Sequence, residues 1–324
     1  MSGYLVELLA SITENTLYGM LSEIVVIDDG STDGTVEAVR RWAIGGDRRG
    51  ITKVHSLPQN RGRFEARLAG ARLVRSHFVL FLDTRIKLPP AFGEQLARFL
   101  NEHEAVMGTL KIDPSKSIFN LYWKRSHETL FRKTHIEEQH GVLITYENYF
   151  QHSTGTTAIA CRTDYFLRVC EPYLSTGLIS DDTALLYDLT KLSPIYRDSR
   201  FFIYWEPRQK LKDFLWYLFD HRGTTFADYH VFERWGKWSA VYFAGLALLA
   251  CDAVLVIRSP SLGLGAMGAL FALLLFSAAL FAQSMGEFLR LSPLHVAVVL
   301  SYGLGTIRGI FKVGCKRWKG RGAT

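Results

Sequence analysis

The chain has 324 residues, 48% of them hydrophobic, with 38 Lys and Arg against 31 Asp and Glu and a formal net charge of +7. That length holds one large domain plus an appendage. The positive charge suits anionic lipid or an anionic substrate, and no nucleic-acid-binding motif accompanies it, so no nucleic-acid partner is expected. Cys161, Cys170, Cys251 and Cys315 have no C-x-x-C spacing and imply neither a zinc site nor a disulfide framework.

In chain order, Leu5, Leu8, Leu9 and Ile12 have the spacing of an amphipathic helix. The N-terminus lacks the basic region and apolar core of a cleavable signal peptide, and none is expected. Ile24 to Ile27 is an unbroken β-branched run, the pattern of a strand buried on both faces of a parallel sheet. Asp28 and Asp29 follow at once. Gly30, Ser31, Thr32, Asp33 and Gly34 are turn formers and helix caps, and a helix over 36–42 comes next. Two acids thus stand at the carboxyl end of a buried strand, the edge where open α/β sheets bind ligands. Residues 52–57 read as a short strand. Asn60 opens a turn into a helix that runs to Val74 and carries Arg67. His77 to Leu82 is the next buried strand, ending in Asp83, Thr84 and Arg85. A helix over 91–101 and a strand over 106–112 follow.

Residues 113–138 are polar and aromatic and read as a helical insertion. His127, His135 and His140 lack the i,i+4 spacing of a helical metal pair. Thr154 to Arg162 reads as a strand in which Gly155 permits close backbone approach. Asp181 and Asp182 precede a helix from Thr183, where acids serve as caps. Leu211, Phe214, Leu215, Leu218 and Phe219 have helical spacing, suited equally to a membrane interface and to packing on the sheet.

Composition shifts after Ser239. Residues 239–257 contain Asp252 as the single charge, 262–282 contain none, and 294–310 form a shorter run interrupted by Gly303, Gly305 and Arg308. Trp235, Trp238 and Tyr242 cluster at the first boundary like an aromatic belt. Lys237 precedes the first span, and Lys312, Lys316, Arg317, Lys319 and Arg321 follow the third. The positive-inside rule puts both flanks in the cytosol, so an even number of crossings is expected, with the third segment re-entrant or interfacial.

The segment from Glu23 to Thr35 resembles the first signature of the family 2 glycosyltransferases, GT-A fold enzymes that transfer a sugar from a nucleotide-sugar. The resemblance lies in a hydrophobic strand followed by Asp28-Asp29-Gly30-Ser31 and Thr32-Asp33-Gly34-Thr35. It extends over residues 4–235. Ala66-Arg67 matches the family's Ala-Arg, and Asp83-Thr84-Arg85 stands where the family has Asp-x-Asp. Thr154 to Arg162 resembles its Gly-rich strand, Asp181-Asp182 its Glu-Asp-x-x-Leu motif, and Asp220 to Gly223 its closing Arg-x-x-Gly.

The resemblance implies that Asp28, Asp29 and Ser31 grip the nucleotide, and that Arg67, Asp83, Thr84 and Arg85 lie beside the donor's diphosphate and sugar. It makes Asp83 the candidate ligand for Mn²⁺ or Mg²⁺, although the second acid of that motif is Arg85, which can itself pair with a diphosphate. Gly155, Asp181 and Arg222 fall on the acceptor side. Asp182 matches the base. An inverting transferase attacks the anomeric carbon opposite the leaving diphosphate, and a carboxylate within about 3 Å takes the proton of the acceptor hydroxyl. In the family a strand precedes the first helix. Nothing upstream of Leu5 matches it, so a fold lacking that strand is expected. Val231 to Trp235 has Val where the processive synthases have Gln.

The expectation is a membrane-anchored inverting glycosyltransferase. An α/β GT-A domain with a mainly parallel sheet occupies 1–235, and a membrane region of two or three apolar helices with a basic tail occupies 236–324. The donor is a nucleotide-sugar, and the acceptor a saccharide, lipid-linked, in envelope or exopolysaccharide assembly. The domain faces the cytosol from the cytoplasmic membrane. One alternative is a polyprenyl-phosphate glycosyltransferase, whose acceptor is already ionised and needs no base. Another is a catalytically inactive scaffold subunit of a glycan-assembly complex, favoured by Arg85 and the missing strand.

Overall fold

The computed structural model describes residues 2–45, 50–175 and 181–321. The chain forms two compact units, 1–113 with 131–206 and 114–130 with 207–324. Residues 207–235 therefore group with the apolar helices.

The first unit opens with α1 (Ser2–Thr13), which buries Leu5, Leu8, Leu9 and Ile12, the face set by their spacing. β1 (Ile24–Asp28), α2 (Thr35–Ile44) and β2 (Thr52–Ser56) follow, and β1 pairs with β2 in parallel as a two-stranded ribbon. Next come α3 (Arg63–Leu73), β3 (Phe78–Leu82), β4 (Ile86–Lys87), α4 (Phe92–Leu100) and β5 (Ala105–Lys111). The chain leaves through α5 (Ile118–Leu130), part of the second unit, and returns by α6 (Arg132–Glu137) to β6 (Val142–Ile144) and β7 (Ala158–Arg162). α7 (Thr163–Cys170), α8 (Asp181–Leu192) and β8 (Ile195–Trp205) complete it.

A six-stranded sheet runs in the order β3-β7-β5-β8-β4, with β6 also on β8. The α/β class is as expected, but the sheet is mixed rather than mainly parallel. Within it β5 and β8 run parallel, while β3–β7, β5–β7, β4–β8 and β6–β8 are antiparallel. An apolar run such as Val79 to Leu82 reads the same whichever way its neighbours point, so composition did not reveal direction. Alternation splits the core between two faces. Val106, Ala158 and Ala160 join the layer under α1 and α4, whereas Met107, Ile159 and Cys161 join the layer under α3, α7 and α8.

β1 and β3 begin side by side. Ser22 Oγ and Ser76 Oγ share a hydrogen bond of 2.6 Å, and Arg75 N donates to Glu23 Oε1 at 2.7 Å. The strands that follow share no ladder hydrogen bond among the described residues. Lys53 also pairs with Glu23, so this carboxylate links the start of β1 to the start of β2 and to the approach to β3. Burial pushes the Glu23 carboxyl up, but the Arg75 N–H and Lys53 outweigh it and leave it below 4.5. A carboxyl lowered by folding stabilises above its unfolded value, and the contribution fades as pH falls through the folded one. Glu23→Gln should therefore melt below wild type at about pH 7, with the gap closing as the pH falls below the ordinary carboxylate range in thermal scans.

In the second unit, α5 is joined by α9 (Leu211–Trp216) and α10 (Gly223–Phe226), linked by wider π-helical turns at Tyr217–Arg222 and Ala227–Glu233. The face begun by Phe214 and Leu218 packs on Phe119 and Tyr122 of α5 and on Leu291, Leu294 and Val298. That resolves the two readings of this amphipathic stretch into a third, helix against helix. α11 (Lys237–Arg258), α12 (Pro260–Ala279) and α13 (Met285–Arg321) follow.

α11 and α12 are joined by Ser259 alone. Tyr242, early in α11, donates to the Gly303 carbonyl at 3.1 Å, and Ser277, late in α12, meets His295 Nε2 at 2.8 Å. Both far ends thus return to α13, and the pair folds back on itself as a hairpin with Arg258 at its tip. Its two limbs span about 33 and 30 Å, enough for a bilayer core. Among the described residues three helices are long and apolar enough to cross a membrane, and residues 285–318 of α13 are the third.

α13 is one continuous helix of 37 residues, with Pro293 inside it. Of the two glycines read as interruptions, Gly305 is a contact point, while a Cβ on Gly303 would meet nothing. A Cβ on Gly305 would overlap the Phe219 carbonyl, and one on Gly223 would overlap the Gly305 backbone. Arg125 clamps Glu287 through two nitrogens at 2.9 and 2.6 Å, and Tyr122 Oη meets His295 Nδ1 at 3.0 Å, fixing α5 to α13.

Candidate active site

The site starts at the carboxyl end of β1. Asp28 is buried, its Oδ1 accepts from Ser31 N at 3.1 Å, and its carbonyl accepts from Leu57 N at 2.8 Å. Asp29 reaches further, accepting from Arg61 N at 2.7 Å and Gly62 N at 2.9 Å. Gly30 has φ +77°, and a Cβ there would stand 2.8 Å from Asn60 N, so no larger residue lets the two loops approach. The acids after β1 thereby fix the loop that launches α3.

α3 delivers Arg63 and Arg67, one turn apart on one face. Both reach Asp182 at the start of α8. Arg63 Nη1 donates to Oδ2 and Arg67 Nη1 to Oδ1, each at 3.0 Å. Thr156 Oγ1 donates to Oδ1 at 2.5 Å. Arg67 Nη2 also lies 3.6 Å from Asp83 Oδ1 at the end of β3. Arg67, Asp83 and Asp182, distant in sequence, therefore converge as expected, joined by Arg63 and Thr156, which the motif reading passed over. The signal for Arg63 was its i,i+4 relation to Arg67.

The sequence pattern put Thr156 in a strand from Thr154, but β7 begins at Ala158, and the turn that carries Thr156 is held from behind. Buried Arg197 of β8 pairs with Glu138 at 3.0 Å and donates to the Ser153 carbonyl. Thr154 Oγ1 donates to Tyr149 Oη at 2.8 Å, and Tyr149 donates to the Thr183 carbonyl at 3.0 Å. Gly155 sits between these two threonines. The residue after Asp182 is thus tied to the segment that supplies its Thr156 donor.

Other expected residues lie apart. Ser31 is exposed beside Asp28, and Thr84 and Arg85 are half-buried beyond Asp83. The Arg85 carbonyl accepts from Glu206 N, and its guanidinium meets no carboxylate among the described residues. The side chain of Asp181 lies outside the described residues. Arg222 belongs to the second unit, its guanidinium 5.7 Å from the Trp123 ring centre and 5.6 Å from that of Tyr217. Among the described residues no three His, Cys, Asp or Glu converge as a metal set. Asp83 is the single carboxylate at the motif's metal position, and it already neighbours Arg67. These residues do not fit a divalent ion held by protein ligands alone.

Acids and arginines gathered at strand ends of an α/β fold could hold an anionic ligand, since that edge is where such sheets bind ligands. Residues 2–161 match the profile described as Glycosyl transferase family 2, and this part of the chain belongs to that family. It is 29% identical over 116 residues to an undecaprenyl-phosphate 4-deoxy-4-formamido-L-arabinose transferase of Edwardsiella ictaluri (strain 93-146), covering 36% of this chain and 35% of that one. A Yersinia pestis protein of the same name is 30% identical over 97 residues, 30% of this chain and 29% of its own. The match spans about a third of the length of these relatives. A mannosyltransferase from Pyrobaculum calidifontis, solved with GDP-Man and Mn²⁺, has the same fold, with a TM-score of 0.59 at 16% identity over 95% of this chain and 84% of that one. The fold is therefore GT-A-like.

Proposed function

We propose that the protein transfers a sugar, with inversion, from a nucleotide-sugar to a lipid-linked saccharide at the membrane. The observation that carries this is the convergence of Arg63, Arg67, Asp83 and Asp182 at the strand ends of a GT-A-like fold. Asp28, Asp29 and Ser31 form the nucleotide end. Arg67 and Arg85 face the diphosphate and neutralise the charge that develops as it leaves. Asp182 takes the proton of the acceptor hydroxyl, and Gly155 and Arg222 serve the acceptor. The α11–α12 hairpin anchors the enzyme in the cytoplasmic membrane by two crossings, with the catalytic unit cytosolic and α13 packed at the surface.

A second reading has polyprenyl phosphate itself as the acceptor. The similarity to undecaprenyl-phosphate 4-deoxy-4-formamido-L-arabinose transferases favours it. Purified protein supplied with UDP- and GDP-sugars and with two acceptors, polyprenyl phosphate and a polyprenyl-diphosphate-linked sugar, separates the readings by the glycolipid formed. Absence of any glycolipid, with every donor left intact, would sink both.

The mannosyltransferase with the same fold was solved with Mn²⁺, and divalent ions are plausible in this family. In this chain Arg85 stands at the metal position and supplies the positive charge. Wild-type turnover should change less than about threefold between EDTA and Mn²⁺, while Arg85→Asp should become Mn²⁺-dependent by about tenfold or more. Initial transfer rates under both conditions measure this. Strict Mn²⁺ dependence of the wild type would refute the role given to Arg85.

A further inference from the structure

We propose that Arg63 and Arg67 together are the diphosphate-binding pair, and that Asp182 occupies their place until the donor arrives. The proposal rests on the glycosyl-transfer reading and adds a residue, Arg63, and an order of events to it.

Both oxygens of Asp182 are engaged. Oδ1 accepts from Arg67 and Thr156, and Oδ2 accepts from Arg63. These three donors take up three of the carboxylate's roughly four lone-pair sites, and the two guanidiniums stand against it where an acceptor hydroxyl must approach. The contacts are shielded from water, with side-chain exposures of 10% for Arg67, 23% for Asp182 and 35% for Arg63. A base so placed is idle until the arginines turn away.

A diphosphate is the ligand that turns them. It carries more charge than one carboxylate, and its paired oxygens match the guanidinium fork. Two guanidiniums one helical turn apart present such forks from a single face of α3. When they move to the diphosphate, Thr156 remains on Oδ1 and keeps the carboxylate in place. Oδ2 is released. It then accepts the acceptor's hydroxyl proton as the acceptor oxygen bonds to the anomeric carbon. The bond from that carbon to the diphosphate oxygen breaks, and the nucleoside diphosphate leaves with the electron pair, held by Arg63 and Arg67. Without donor the base stays covered, so donor binds before acceptor.

The test reads binding alone. Full-length protein in detergent with EDTA is titrated calorimetrically with inorganic pyrophosphate, UDP and GDP. Asp182→Asn removes the competing charge and should tighten pyrophosphate and the bound nucleotide by about tenfold, although it lacks the base. Arg63→Ala should weaken both by about tenfold. Equal or weaker binding in folded Asp182→Asn overturns the proposal and leaves the transfer reading intact. Should that variant not fold, Arg63→Ala, at the more exposed of the two arginines, decides alone, and unchanged pyrophosphate affinity overturns the proposal. Binding of none of the three ligands by wild type overturns both the proposal and the transfer reading.

Discussion

Asp182→Asn should lower transfer to a hydroxyl acceptor by about 10²- to 10⁴-fold, the usual contribution of a positioned general base. Asparagine keeps the size of aspartate, and its carbonyl oxygen still accepts from Thr156, so the start of α8 need not move. What it loses is the ability to take a proton. Single-turnover rates with saturating donor isolate that step from donor binding. A loss confined to the hydroxyl acceptor, with transfer to polyprenyl phosphate preserved, would show that the lipid phosphate is the true acceptor. Unchanged turnover with both would remove Asp182 from the chemistry.

Gly305→Val should destabilise the second unit by about 3 kcal/mol or more, the upper range for forcing volume into a packed contact. Gly305 and Gly223 meet where α13 crosses the turn before α10, and the atoms in the way are main chain, which cannot rotate aside. Small residues at such crossings let helix backbones approach closely. Gly303, two residues earlier, has nothing within 4 Å of its would-be Cβ. Gly303→Ala should therefore be neutral or mildly stabilising, by up to about 1 kcal/mol. Thermal melts of both variants in one detergent make the comparison. Equal melting temperatures would mean that this crossing does not hold the unit together.

Periodicity carried the parts of the fold that depend on local chain. The α1 face at Leu5, Leu8, Leu9 and Ile12 is buried as spaced, and the strand before Asp28 and Asp29 lies where the β-branched run put it. Strand direction did not follow, because β7 pairs with β3 and β5 across long stretches of sequence that no local pattern encodes. The site was legible by halves. Arg67, Asp83 and Asp182 stand in motifs and meet in space. Arg63 and Thr156 lie inside motif segments at positions to which the motifs give no role, and their part comes from where α3 and the turn before β7 are aimed. Gly305 misled for a physical reason. A glycine costs helix propensity, but a close helix crossing repays that cost, and the sequence does not show the partner.

A hairpin ends on the side where it began. With Ser259 as the sole link, α11 and α12 leave and regain the same face, and residues 207–236 and α13 both attach there. For an enzyme working on lipid-linked sugar, one leaflet is then both source and sink. On the proposed function, the glycolipid would be drawn from it and handed back to it with the new sugar still facing the nucleotide pool. Carrying that head group to the opposite leaflet, against the cost of dragging polar sugar through hydrocarbon, would then fall to a separate step.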